Sequence, residues 1–339
     1  MASAIDSQDL CAALATALSE HFGTERTVAA LERRPYSYRT SYELEQLRVV
    51  LDDGTSLDLI FKNLGEDGLH EGARAAKPEF LRNPSREIEV YAQLLAPAQL
   101  GTPTYYGASA DAERGRYWLF IEKVEGTELW QIGELEAWEA TARWLARLHA
   151  RFADAVRASE VPPDLVRYDA DFYRRWPERA RRFARERGLS ADELRKLEQI
   201  ADVHERLVER LVALPATFIH GEFYASNVLV ARASGAAVDR VCPIDWEMAA
   251  VGPALFDLAA LVTGWSDESR TAVALAYREA APPALGQADD ERAFLGTLDL
   301  CRLHLAIRWL GWAPDWTPPN EHRRDWLGEA ERLAEEIDA

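Results

Sequence analysis

Hydrophobic and polar positions follow two different periods along the chain. Residues 9–22 place Leu10, Leu14, Leu18 and Phe22 at helical spacing before Gly23, which predicts an amphipathic helix. The pattern then becomes extended from about residue 27 to 51, and Asp52-Asp53-Gly54 predicts a hairpin turn into a strand over 56–62. Three antiparallel strands are therefore predicted, with two more over residues 101–106 and 116–123.

After Gly126 the period changes to that of helices. Residues 135–152 repeat apolar side chains at helical spacing, and the segment after about residue 268 does so again. A chain of 339 residues is long enough for two lobes with separate cores. We predict an α+β fold with a β-sheet lobe at residues 1–124 and a mainly helical lobe at residues 125–339.

Seven arginines are concentrated in the segment 174–187 of the second lobe. We interpret them as a solvated helix face with (i, i+4) pairs to Glu178 and Glu186. The alternative is a site for an anionic substrate or partner. Ser190 followed by Glu193 predicts a capping box at the start of the next helix.

Two short polar motifs interrupt the apolar pattern of the second lobe. The first runs from His220-Gly221-Glu222 to Asn227, and the second, Ile244-Asp245-Trp246-Glu247, places its aspartate eighteen residues after Asn227. Phosphoryl transfer needs an acid that orients the attacking hydroxyl, and an amide and a carboxylate that hold Mg²⁺ on the nucleotide phosphates. The predicted catalytic residues are Glu222, Asn227 and Asp245.

This pair of motifs resembles the aminoglycoside phosphotransferase and choline kinase family, whose members are small-molecule kinases with a protein-kinase-like fold. The resemblance extends from about residue 27 to the end of the chain. It implies that Asn227 and Asp245 bind Mg²⁺ and that Glu247 contacts a second metal or its water shell. The family's catalytic acid is almost always aspartate, and Glu222 departs from that pattern.

The resemblance also implies a nucleotide site in the first lobe. Lys62 ends a strand in the place of the lysine that contacts the α- and β-phosphates in kinases. Its partner is expected in the helical segment 85–95. The family pattern Glu-x-x-x-Tyr selects Glu87 over Glu89 as that partner.

Two further segments belong to the same expected nucleotide site. The phosphate-covering loop at 34–41 contains no glycine, so the candidates to contact phosphate are the hydroxyls of Ser37, Thr40 and Ser41, or Arg39. An exposed hairpin without a ligand is the alternative. The segment after the fifth strand resembles a hinge, in which the carbonyl of Glu122 and the N–H of Val124 would bind adenine.

The resemblance assigns supporting roles in the second lobe. His149 is expected to be a packing or capping residue and not a catalyst. His220 is expected to hold the catalytic loop in place, and Asp257 is expected to brace that loop from a helix start. Trp309 or Trp312 either lines the acceptor pocket, by stacking or cation–π contact, or packs in the core. An aromatic–proline turn is predicted from Trp312, Trp316, Pro318 and Pro319.

Net charge, cysteine spacing and the apolar stretches limit which binding partners and which cellular location we expect. The net charge is −18, from 39 basic and 57 acidic residues, which argues against binding of nucleic acid and weakly favours a cationic substrate. The three cysteines are widely spaced, as expected in a reducing cytoplasm. We expect no signal peptide, because the N-terminus lacks a basic segment followed by an apolar core. We expect no membrane span, because the most apolar stretch, 248–262, is interrupted by Pro253 and Asp257.

These features together predict a kinase that uses ATP, or alternatively GTP, and Mg²⁺ to phosphorylate a hydroxyl of a small molecule. The acceptor, an aminoglycoside-like compound or another amine or sugar metabolite, stays open, as does the oligomeric state. The rival hypothesis is a nucleotide-binding pseudokinase with a regulatory or scaffolding role, suggested by Glu222 and the glycine-free loop.

Overall fold

The computed structural model describes residues 5–36, 41–232, 238–285, 290–313 and 323–338. The predictions for Ser37, Arg39, Thr40, Trp316, Pro318 and Pro319 lie outside the described residues. The chain divides into two compact units. The first unit comprises Met1–Ala75, Arg82–Glu125 and Cys242–Glu247, and the second comprises Ala76–Leu81, Gly126–Val241 and Met248–Ala339.

The first unit is built on a five-stranded antiparallel sheet with the strand order β1-β2-β3-β5-β4. A π-helical segment, Val90–Leu95, joins its helices α3 and α4. The elements are α1 Ser7–Phe22, β1 Val28–Pro35, β2 Leu44–Leu51, β3 Ser56–Asn63, α2 Glu71–Ala76, α3 Arg86–Glu89, α4 Ala96–Ala98, β4 Tyr105–Asp111 and β5 Arg116–Glu122.

Helix α1 covers one face of this sheet. Its leucines pack against Leu47, Phe61 and Phe120 of the strands, so the leucines of the apolar stripe are buried, whereas Phe22 at its end is exposed. The side chain of Asp6 caps its first turn, and Gly23 ends it in the left-handed conformation. The predicted helix and its predicted end are confirmed.

Strand β4 begins later than predicted, at Tyr105 instead of residue 101. Gly101 has a left-handed φ of 85°, and Pro103 has no backbone N–H to donate to a neighbouring strand. These two residues keep the segment before Tyr105 out of the sheet.

The second unit is mainly helical and carries short strands that hold its loops. Strand β6 pairs antiparallel with β9, and β11 pairs parallel with β7 and antiparallel with β8. Its elements are β6 Thr127–Glu128, α5 Leu135–Arg157, β7 Val166–Arg167, α6 Ala170–Glu186, α7 Ala191–Val212, β8 Ala216–Ile219, β9 Val228–Ala231, the first half of β10 Arg240–Pro243, whose second half belongs to the first unit, β11 Ala250–Pro253, α8 Ala254–Leu261, α9 Asp267–Ala280, α10 Glu291–Leu310 and α11 Trp326–Asp338.

Helix α10 lies centrally among the helices of this unit, in contact with α6, α8 and α11, while α5 packs on α9 and β8. The predicted helix at 135–152 extends five residues further, to Arg157. The α+β prediction is confirmed, and the capping box of Ser190 and Glu193 is present at the start of α7. In the part of the chain that the structure describes, no helix combines the length and the apolar character needed to cross a membrane.

Candidate active site

The loop between β8 and β9 carries the first motif and is held by a buried carboxylate. Asp257, in the first turn of α8, accepts hydrogen bonds from the backbone N–H groups of His220 (2.7 Å) and Gly221 (2.9 Å). Asp257 is fully buried, so water does not compete for these bonds. The prediction that Asp257 braces this loop is confirmed.

Two histidines support the same carboxylate and loop. His149 is buried, with Nε2 at 3.3 Å from Asp257 Oδ2 and Nδ1 at 2.9 Å from the Tyr277 hydroxyl. Burial raises the pKa of Tyr277, which keeps its hydroxyl protonated. His220 accepts a hydrogen bond at Nδ1 from the backbone of Glu222 (3.3 Å). Both histidines hold structure, as predicted.

Glu222 projects from this loop and meets a cation that the sequence analysis missed. Its Oε1 lies 3.0 Å from Nη2 of Arg308, a buried residue on α10. Burial, the largest influence, lowers the pKa of Arg308, but its electrostatic interactions with neighbouring groups, among them the carboxylate of Glu222, outweigh burial and raise that pKa overall. Asn227 donates from Nδ2 to the backbone carbonyl of Glu222 (2.9 Å), and this bond fixes the direction of its amide oxygen.

In the first unit, Lys62 of β3 joins two acids from distant parts of the chain. Its Nζ lies 2.7 Å from Glu87 Oε2 and 2.5 Å from Asp245 Oδ1. Burial lowers the pKa of Lys62, but the carboxylates of Asp245, Glu87 and Glu247 outweigh it and raise that pKa overall. Lys62 is therefore a buried cation held between two acids.

Glu87 links the lysine to the second motif. Its other carboxylate oxygen accepts a hydrogen bond from the backbone N–H of Trp246 (3.1 Å). Burial raises the pKa of Glu87 above its ordinary value, against the opposing charge of Lys62. Glu87, the acid selected by the family pattern, is thus the one that contacts Lys62.

Asp245 has a backbone conformation that side chains rarely adopt, with a φ of 65°. It follows directly after β10 and Ile244, and its side chain is 11% exposed. A non-glycine residue held in this region is a mark of functional sites, because the surrounding structure must compensate its strain.

Glu247 and Ser41 contact each other in the first unit. The Ser41 hydroxyl donates to Glu247 Oε1 (2.8 Å), and Arg86 donates from Nη1 to the Glu247 carbonyl (2.8 Å). The hydroxyl that was predicted to contact phosphate is thus bonded to the acid that was predicted to contact a metal. Both of those roles remain predictions.

The predicted hinge residues lie at the end of β5. The carboxylate of Glu122 accepts from the backbone N–H and the hydroxyl of Thr104 (2.9 and 3.0 Å), and Val124 is buried. The N–H of Lys123 donates to the Asp58 carbonyl (3.1 Å). These bonds hold the segment in place, and its contact with adenine remains a prediction.

The predicted site residues therefore form two groups, one in each unit. Lys62, Glu87, Asp245 and Glu247 belong to the first, and Glu222 and Asn227 to the second. Among the described residues, no cluster of three or more His, Cys, Asp or Glu is arranged to hold a metal ion. Mg²⁺ in kinase sites needs only one or two carboxylates besides the phosphates, and the hard oxygens of the Asp245 carboxylate fit that requirement.

The arginines of α6 are engaged in structural contacts, most of them outside the helix. The expected (i, i+4) pairing occurs between Arg182 and Glu186, whereas four other ion pairs reach α7: Arg174–Glu205, Arg181–Glu198, Arg181–Asp202 and Arg185–Glu198. The sequence pattern missed these partners because they come from a helix that is adjacent only after folding.

Trp309 and Trp312, the candidates for an acceptor pocket, both stack on other tryptophans. Trp309 lies parallel to Trp326 with ring centroids 5.2 Å apart, and Trp312 lies parallel to Trp176 at 5.9 Å. These contacts favour the core interpretation of both residues.

Comparison with known proteins places the chain in a family. The model of the phosphotransferase enzyme family matches residues 45–295. The chain belongs to this family. A search among curated proteins found no match. The phosphotransferase family assignment confirms the predicted enzyme class, a small-molecule kinase.

Solved structures of related folds agree with the phosphotransferase assignment. A spectinomycin phosphotransferase in complex with ADP and spectinomycin is 14% identical, with a TM-score of 0.56 and 99% of each chain covered. An ethanolamine kinase from Plasmodium vivax is 15% identical, with a TM-score of 0.53 and coverage of 91% of this chain and 82% of that one. A macrolide 2'-phosphotransferase from Brachybacterium faecium is 18% identical, with a TM-score of 0.51 and coverage of 92% and 99%. At these identities the likeness shows the fold, which is the predicted kinase-like one.

Proposed function

We propose that this phosphotransferase transfers the γ-phosphate of ATP, with Mg²⁺, to a hydroxyl group of a small molecule. The observation that carries the proposal is the contact of Lys62 with both Glu87 and Asp245 inside one unit. A lysine clamped by a helix glutamate, beside an aspartate on the turn after a strand, is the arrangement that positions phosphates and metal in kinases. GTP is the alternative donor.

The proposed roles follow from the chemistry of each side chain. Lys62, oriented by Glu87, would hold the α- and β-phosphates, and Asp245 with Asn227 would hold Mg²⁺, which supplies charge neutralisation when bound. Glu222 would orient the acceptor hydroxyl and take up its proton, while Glu247 would contact a second metal or its water.

The remaining proposed roles concern adenine binding, coverage of the phosphates and the function of each lobe. The Glu122 carbonyl and the Val124 N–H would bind the base, and the hydroxyls of Ser37 and Ser41 would help to cover the phosphates. Residues 1–124 would form the lobe that binds the nucleotide. Residues 125–339 would form the lobe that carries the catalytic loop and binds the acceptor. The acceptor class is a hydroxyl compound of the kind named for the relatives, from antibiotics to ethanolamine.

A coupled assay of ADP release tests this function. Spectinomycin, streptomycin, kanamycin and ethanolamine form the first acceptor panel, with water as the acceptor in their absence. We expect turnover with at least one acceptor, and we expect D245N to lower kcat at least about 100-fold because a metal ligand is lost. D58N, at a half-exposed aspartate of the same unit, is the matched control and should keep wild-type kcat.

The same protein samples distinguish the pseudokinase alternative. A kinase and a pseudokinase both gain thermal stability from MgATP, because any ligand that binds the folded state alone stabilises it. Only the kinase consumes ATP. A thermal shift with MgATP but no ADP release with any acceptor or with water would favour the pseudokinase.

A further inference from the structure

We propose that Arg308 is a positioning residue for Glu222 and fixes its carboxylate relative to the backbone of the catalytic loop. The inference rests on the proposed function, since it gives Arg308 a part in the same phosphoryl transfer. It also gives a physical account of how a glutamate can serve at position 222.

One guanidinium group holds both the backbone and the side chain of the loop. Arg308 donates from Nη1 to the Gly221 carbonyl (2.7 Å) and from Nη2 to Glu222 Oε1 (3.0 Å). Because the guanidinium is planar and rigid, its two nitrogens set the distance between the carbonyl and the carboxylate. The extra rotatable bond of glutamate is thereby restrained.

Arg308 is itself held in place. Its side chain is only 2% exposed, and the guanidinium carbon lies 5.5–5.6 Å from the ring centroids of Trp176, Phe256 and Trp312. Nη1 also donates to the Tyr168 hydroxyl (3.1 Å). A guanidinium in this surrounding cannot swing into water, so the carboxylate that it binds has a defined position.

The loop backbone cannot move to suit a shorter acid. The amides of His220 and Gly221 are fixed by Asp257, and an aspartate at position 222 would end about 1.5 Å short, one C–C bond. Its carboxylate would then lie beyond the hydrogen-bond limit of about 3.5 Å from Arg308 and would leave a buried charge without its partner. Glu222 and Arg308 therefore form a matched pair.

Steady-state kinetics of four variants test the pair, with MgATP and each acceptor of the panel, water included. R308M should lower kcat about 100-fold, the effect of misplacing a reacting group by about 1 Å, while KM for MgATP stays within about twofold. R308K keeps the charge without the fork and should recover part of kcat. E222D should lower kcat at least about tenfold, although it keeps the carboxylate and removes only one methylene group.

The matched control is Arg302, a second buried arginine on α10. It is 6% exposed and pairs with Asp299 and Glu329 (2.6 and 2.8 Å). Neither of these acids belongs to the catalytic loop. R302M should lose stability, yet its kcat should stay within about twofold of wild type. Should R308M fail to fold, R308K and E222D carry the comparison.

The outcomes separate this inference from the proposed function. If R308M or R308K loses no more kcat than R302M, or if E222D is as active as wild type, the role of Arg308 is wrong while the kinase assignment stands. If the wild type releases no ADP with any acceptor or with water, the proposed function fails and the role of Arg308 fails with it.

Discussion

Gly221 is the residue at which the catalytic loop tolerates least change. Its φ is 83°, and a Cβ at this position would lie 2.2 Å from the carbonyl oxygen of Met248. Glycine avoids both the conformational cost and the collision, because it has no Cβ. The position of the acid at 222 depends on that close approach.

Alanine variants of Gly221 and Gly188 separate the cost of the left-handed conformation from the cost of the steric collision. G221A should lower the free energy of unfolding by about 3 kcal/mol or more, because it adds a collision with backbone to the strain of a left-handed alanine, which alone is about 1–2 kcal/mol. Urea unfolding followed by circular dichroism measures the change. G188A is the control: Gly188 has a φ of 67° with nothing within 4 Å of its missing Cβ, so it should show the strain alone. Equal losses in both variants would contradict the collision.

Sequence patterns selected candidate residues for the site, but they did not reveal all the contacts that those residues make. Spacing and resemblance selected Glu222, Asn227 and Asp245, and the Glu-x-x-x-Tyr pattern selected the glutamate that contacts Lys62. Arg308 was missed because its partner is 86 residues away and no local spacing connects them. One signal was available: an arginine inside an apolar helical run is rarely buried without a counter-charge.

Among the helices, α6 depends on its arginines for packing. Arg179 donates from Nε to the Gly311 carbonyl and from Nη2 to the Trp312 carbonyl, both at 2.8 Å. Burial lowers the pKa of Arg179 to about 10. Both carbonyls belong to the two residues that directly follow α10, and these bonds therefore tie α6 to the end of α10.

Two arginines of α6 make a matched test of this role. R179M should lower the free energy of unfolding by about 2 kcal/mol, because two hydrogen bonds to a charged group are lost. R182M should change it by less than about 0.5 kcal/mol, since Arg182 is 58% exposed and its ion pair with Glu186 of the same helix is long, at 3.8 Å. Differential scanning calorimetry measures both variants. A larger loss in R182M would show that charge, and not the tie to α10, is what matters.

Elements were predictable where local patterns decide them, and less so at their ends. The leucines of α1 and the Asp-Asp-Gly turn act over a few residues, so the helix and hairpin followed from sequence. The short strands β6, β7 and β11 escaped prediction, because two to four residues carry no period and pair only after folding. The π-helical segment after Glu87 has no sequence signature at all.

At the scale of the whole molecule, two buried histidines should make the folded state less stable at acidic pH. His204 of α7 and His304 of α10 are buried, with Nε2 of the first 3.0 Å from Nδ1 of the second. Burial lowers the pKa of His204 from 6.5 to about 4 and lowers that of His304 well below its ordinary value. Both rings are therefore neutral in the folded chain at neutral pH.

The sign of the pH dependence follows from these shifts. Below pH 6.5 the unfolded chain binds a proton at His204 and the folded chain does not, so stability falls until the pH reaches about 4. Between pH 7 and pH 5, His204 should lower the free energy of unfolding by about 2 kcal/mol. Urea unfolding at both pH values measures it. H204Q should be less stable at pH 7 but lose less on acidification, while H21Q, at an exposed histidine, should track the wild type. Parallel curves for H204Q and wild type would exclude this source.

The left-handed backbone at Asp245 has a consequence for how this position can evolve. Asparagine and aspartate adopt that conformation most readily among residues with side chains. Replacing the carboxylate with an amide would therefore change the charge without adding backbone strain. A bulky or β-branched replacement would disturb the turn itself. Natural variation at 245 should therefore be confined to Asp, Asn and Gly, and a lineage that abandoned catalysis could drift to the amide without losing its shape.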